Sequence, residues 1–134
     1  MIGFLVGIII FGLVVLWLLA RFKPHRKPRI DQEYFQQKWA ELLLRVKTPE
    51  GMMLSVIDAD KLLDEALKKH HLKGKTMGER LVSAQRLLSD NDAVWFAHKL
   101  RNRLVHEPNI KLKQTEAKNA LAGFRQGLKD LGAL

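Results

Sequence analysis

Apart from Gly3, Gly7 and Gly12, every side chain from Ile2 to Ala20 is apolar, and none is charged. As one helix this run of 19 residues is roughly 28 Å long, close to the hydrocarbon thickness of a bilayer. A cleaved signal peptide is the rival reading. No Lys or Arg precedes the run, however, and no small-x-small cleavage site stands before the first charges. The pattern therefore predicts a transmembrane anchor over residues 1–20.

Downstream the pattern changes to apolar positions at helical spacing, with no stretch of period two. A first helix is expected from near Asp31 to near Lys47, with Phe35, Trp39, Leu42 and Val46 facing inward. Thr48 is placed to cap a second helix, with Pro49 at its first position, running to about His70. Its inward stripe is Met53, Val56, Asp60, Leu63 and Leu67, so a carboxylate interrupts an apolar face. Thr76 and Glu79 have capping-box spacing before a third helix carrying Met77, Leu81, Ala84 and Leu88. Ser89 and Asp92 repeat that spacing before a fourth, which holds Trp95, Phe96, Ala97, Leu100, Leu104 and Val105 and is stopped by Pro108. A fifth carries Ala117, Leu121, Phe124, Leu128 and Leu131 and ends at Gly132. The expected fold class is all-α: an antiparallel four- to five-helix bundle over 31–134, behind one N-terminal transmembrane helix.

Charge sharpens this picture. The 134 residues carry a net +9, but five of the basic residues, Arg21, Lys23, Arg26, Lys27 and Arg29, lie in the segment 21–30. That leaves 18 basic and 14 acidic residues in the 104 residues from 31 to 134, a mild excess that does not by itself indicate nucleic acid. The basic segment reads as a juxtamembrane linker kept extended by Pro24 and Pro28 and drawn to anionic lipid. The positive-inside rule then puts the N-terminus outside and the bundle in the cytoplasm. There is no cysteine, hence no disulfide or thiolate metal site, and no H-x-x-x-H pair for zinc. No cofactor is expected.

The densest polar group falls in the fourth helix: His98, Arg101, Asn102, Arg103, His106 and Glu107. Positions 98, 102 and 106 share a face, and Arg101 lies beside them. Arg101 and His106 are about 140° apart on an ideal helix, and they converge only if the arginine curls back or Pro108 distorts the last turn. A guanidinium beside an imidazole suits a phosphodiester, the first holding phosphate oxygens and the second moving protons. The structural alternative pairs Arg101 with Asp60 or Asp64 across the bundle and leaves His106 as a helix-end histidine. Asp60 and Asp64, one turn apart, admit a divalent metal, but anchoring an arginine within the bundle is the preferred role.

The string Arg101-Asn102-Arg103-Leu104-Val105-His106 resembles the R-x(4)-H motif of the HEPN superfamily of small helical bundles. Ala59-Asp60-Lys61-Leu62-Leu63-Asp64, Gly78-Glu79-Arg80-Leu81 and Ala97-His98-Lys99-Leu100 are similar to the wider pattern, and the resemblance spans residues 31–131. It implies a homodimer with the two motifs facing one another and, in competent members, metal-independent cleavage of single-stranded RNA. Arg101 would then bind the scissile phosphate and His106 would act as general base. Asn102 would steady the histidine, Asp60 would orient Arg101, and His98 and Arg103 would be binding residues. Other members of the family serve as binding or dimerisation modules. Two functions follow: a membrane-anchored interaction module without catalysis, slightly preferred, and a tethered endoribonuclease. RNA, a nucleotide or a protein is the expected partner, besides the membrane.

Overall fold

The computed structural model describes residues 1–21 and 28–134. Most of the basic segment expected over 21–30, including Lys23, Pro24, Arg26 and Lys27, lies outside the described residues. Six helices make up the described residues, with no strand among them: α1 (Ile2–Arg21), α2 (Gln32–Leu43), α3 (Pro49–Lys69), α4 (Met77–Ser83), α5 (Asn91–His106) and α6 (Gln114–Asp130).

Helix α1 has no buried residue, and it is long and apolar enough to cross a membrane. Near its end the Arg21 guanidinium lies 4.5 Å from the centroid of the Trp17 ring. Such a pair suits a membrane interface, where the ring stays half-immersed and the charge reaches the headgroups.

The other helices are built around α3, which packs against α2, α4, α5 and α6. Thr48 starts it as its sequence position suggested, accepting the Gly51 N–H at 3.0 Å, with Pro49 directly after. Phe35 of α2, Val56, Leu63 and Leu67 of α3, Leu81 of α4, Val94 of α5 and Phe124 and Leu128 of α6 form the sealed core. Ser55, fully buried, shares its hydroxyl proton between the carbonyls of Gly51 and Leu42, and so ties the free end of α2 to α3. Helices α5 and α6 make the closest approach: a Cβ on Gly123 would stand 2.6 Å from the Ala93 carbonyl oxygen, so only glycine fits there.

Two helices are shorter than their apolar periodicity suggested. α2 stops at Leu43 and α4 at Ser83, and residues 44–47 and 84–87 continue as turns. The periodic residues still reach the core, because Val46 packs against it and Leu88 is buried. The cap of α5 is also displaced by one residue. Asp90 accepts the Ala93 N–H at 2.9 Å, while Ser89 gives both its N–H and its hydroxyl to Asp130 at the end of α6.

α3 and α6 end in the same way, with the residue after the cap in the left-handed region and its successor's N–H returning to the carbonyl five residues back. At α6 the left-handed residue is Gly132, and the Ala133 N–H reaches the Leu128 carbonyl at 2.8 Å. At α3 it is His71, with φ at 55°, where a side chain is strained. Replacing His71 by glycine is expected to raise stability by about 1 kcal/mol, read as a higher melting temperature. An unchanged or lower value would mean that the imidazole compensates for its backbone.

The α3–α4 connection is closed by Arg80, whose Nε and Nη2 donate to the Asp64 carboxylate at 2.7 and 2.9 Å. Its Nη1 donates to the Gly74 carbonyl at 2.8 Å. Burial works to raise the Asp64 carboxyl, but hydrogen bonds from Arg80 and Lys68 outweigh it and hold the group below the usual carboxylate range. Asp130 is lowered in the same manner, by Ser89 and Gln126 acting against burial. Each therefore binds its proton more readily in the unfolded chain. The stability these two supply is complete above their unfolded values, about pH 4, and is lost as pH falls through the lower folded ones. The melting temperature should accordingly drop below about pH 4, and Asp64→Asn should make that drop shallower while lowering the neutral-pH value.

Candidate functional site

One face of α5 carries Trp95, His98, Arg101 and Asn102 against the middle of α3, where Asp60 stands in the apolar stripe. Helical spacing is what brings them there, since positions 95, 98 and 102 follow the i, i+3, i+7 rule of one face. Asp60 is 3% exposed and His98 is 9% exposed. The His98 ring meets Trp95 edge to face at 5.9 Å, which fixes its plane.

The four polar side chains form a ring of contacts. His98 Nδ1 lies 2.8 Å from Asp60 Oδ1. A carboxylate only accepts, so Nδ1–H is the donor of this hydrogen bond. The Asn102 Nδ2 group is 3.3 Å from His98 Nε2, and its Oδ1 accepts from Arg101 Nη1 at 3.0 Å. Arg101 Nε stands 3.4 Å from Asp60 Oδ2, which closes the ring by charge attraction; no hydrogen bond forms there, and this buried Nε has no partner. The arginine charge and the aspartate charge thus balance one another inside the domain.

The ring borders a cavity of about 460 Å³ between α3, the start of α4 and α5. Lys61, Asp64, Thr76, Met77 and Gly78 complete its wall. Asp64 is taken up by Arg80 and by Lys68 at 3.1 Å, so the two carboxylates at this mouth already have fixed cations. Arg101 keeps 24% of its side chain exposed and is the charged group of the ring that retains contact with solvent.

Of the residues expected to act together, Asp60, His98, Arg101 and Asn102 are brought into one group, and His106 and Arg103 are not. His106 is the last residue of α5, exposed, and is not part of the cavity wall. Arg103 faces α6 and solvent, 3.6 Å from Glu107 and 3.9 Å from Glu116. The imidazole that meets the Asp60–Arg101 pair is therefore His98, whose position four residues before Asn102 on the Asp60-facing stripe is the signal that marks it. Arg80 is a further buried cation that spacing alone did not single out, because its partner Asp64 lies sixteen positions earlier in the chain.

Among known proteins, no family model, curated sequence or solved structure matches this chain.

Proposed function

We propose that the chain is a single-pass membrane protein whose helical part, an antiparallel HEPN-type bundle, serves in the cytoplasm as an interaction and dimerisation module without catalysis of its own. The supporting observation is the ring around Asp60. The arginine of the R-x(4)-H string is tied to Asp60 and Asn102, and the histidine of that string stands outside the ring. A nuclease needs the two groups at one phosphate, whereas a scaffold needs them only to shape a surface. The basic residues after α1 support the cytoplasmic orientation by charge bias.

A second reading, the metal-independent ribonuclease, is favoured by the solvent-facing part of Arg101 and by the exposure of His106. In a dimer, Arg101 of each subunit would hold a scissile phosphate and His106 would take the 2′-hydroxyl proton; the 2′-oxygen would bond to phosphorus as the P–O5′ bond breaks, and the 5′-oxygen would leave with a proton from water, giving a 2′,3′-cyclic phosphate and a 5′-hydroxyl. The full chain in lipid nanodiscs, incubated with labelled single-stranded RNA in EDTA, separates the two. The module reading expects intact RNA and a dimeric mass by light scattering. Cleavage that survives EDTA and disappears in His106→Ala establishes the ribonuclease instead.

A further inference from the structure

Helices α2 and α6 both pack on α3 but scarcely touch one another, which leaves a groove of about 330 Å³ between them. Its floor is apolar, made by Trp39 and Leu43 of α2, Met52 of α3 and Leu121 of α6. Its α6 rim carries Lys118 and Arg125, seven residues apart on one face, both exposed. No carboxylate lines the groove, and neither cation belongs to an ion pair among the described residues. Trp39 is 7% exposed, and its indole Nε1 is buried without a hydrogen-bond partner. A buried donor left in this state is costly.

Shape and charge narrow the occupant. The groove follows α6 from Gln114 to Arg125, about 17 Å or three helical turns. A concave cleft of that length between two helices suits a third helix laid apolar side down, and a flat bilayer surface does not enter it. The two rim cations call for carboxylates on the flank of that helix. A second copy docked symmetrically here would set Lys118 and Arg125 of both chains against each other, so self-association is disfavoured.

We propose that this groove is the docking site for an acidic amphipathic helix of a partner protein, its apolar stripe on Trp39, Leu43, Met52 and Leu121 and its carboxylates on Lys118 and Arg125. The inference supplies a partner class for the interaction module and rests on that reading.

The test uses the full chain in nanodiscs and a displayed library of amphipathic helices about four turns long. Leucines are fixed at i, i+3, i+4 and i+7, and the flanking positions are drawn from Glu, Gln and Lys. Glu-flanked helices should be enriched. Lys118→Glu combined with Arg125→Glu, both on exposed positions, should weaken the selected helix at least about tenfold and shift the enrichment to Lys. In protein with nitrogen-15 at its three tryptophans, the Trp39 indole N–H resonance should move on binding. Absence of enrichment over empty nanodiscs, indifference to flank charge, or unaltered selection by the double variant overturns the proposal. So does a Trp39 shift produced by phosphatidylserine in the disc with no helix enriched, which assigns the groove to lipid. EDTA-resistant RNA cleavage would remove the non-catalytic reading without changing these binding measurements, and failed binding would leave the RNA result as it stands.

Discussion

Asp60→Ala is expected to lower the stability of the domain by about 3 kcal/mol, a drop in melting temperature on the order of 15 °C. The carboxylate is 3% exposed and stands between His98 Nδ1 at 2.8 Å and Arg101 Nε at 3.4 Å. Removing it leaves a buried ring N–H without an acceptor and a guanidinium without its counter-charge. Breaking one partner out of a buried pair costs about 3–5 kcal/mol, and the lower end applies because part of Arg101 already reaches solvent. For a domain of this size the loss is a large part of a total of roughly 5–15 kcal/mol. His106→Ala, by contrast, should change stability by less than about 0.5 kcal/mol, since the ring is exposed at the end of α5. Thermal melts of the full chain in detergent read both. Equal effects of the two substitutions would show that the contacts around Asp60 hold nothing together.

Removal of Met1–Arg21 should release the protein completely from membranes. The full chain is expected to stay with the membrane pellet after alkaline carbonate extraction, and the shortened chain to appear in the supernatant. The physical reason is the area of side chain involved. All the large apolar residues from Ile2 to Leu19 are exposed in the structure, from 36% for Val15 to 81% for Ile2, and no other described helix covers them. At about 25 cal/mol per Å² of apolar surface, fifteen such residues favour lipid over water by far more than any peripheral contact does. Since α1 supplies no buried residue, the shortened chain should melt where the full chain does. Extraction of the full chain by carbonate would mean that α1 does not span a bilayer.

The helical class and the long apolar N-terminal helix were legible because both depend on periodicity and length, which the chain displays openly. Thr48 with Pro49 and the terminal Gly132 gave helix ends that the structure places at the same residues. The early stops of α2 and α4 were not legible. Leu44 to Lys47 and Ala84 to Leu87 keep helical spacing and contain no Pro or Gly, and it is tertiary packing that turns them. Ser89 gave a false cap because its hydroxyl finds a stronger acceptor in Asp130, forty-one positions away. At the site, the odd carboxylate in the α3 stripe marked Asp60 as a residue with a buried partner. Which imidazole it would choose depended on the rotation of α5 against α3, and that angle is a property of packed side chains. The same holds for the groove between α2 and α6, which exists only because neither helix is wide enough to reach the other across α3.

The Arg80 clamp bears on how the chain meets a protease. Lys73 and Lys75 sit in an exposed loop, the usual place for a tryptic cut. Cleavage requires several residues to straighten into an extended strand within the enzyme. Here the Gly74 carbonyl is held by Arg80 at 2.8 Å, the Lys73 carbonyl by Ser83 at 2.7 Å, and the Lys75 N–H by Glu79. With two successive peptide groups pinned to α4, brief trypsin treatment should spare both lysines while cutting between α5 and α6, at Lys111 or Lys113. Arg80→Gln would then open a new cut at the loop, converting a hidden anchorage into a nick visible on a gel.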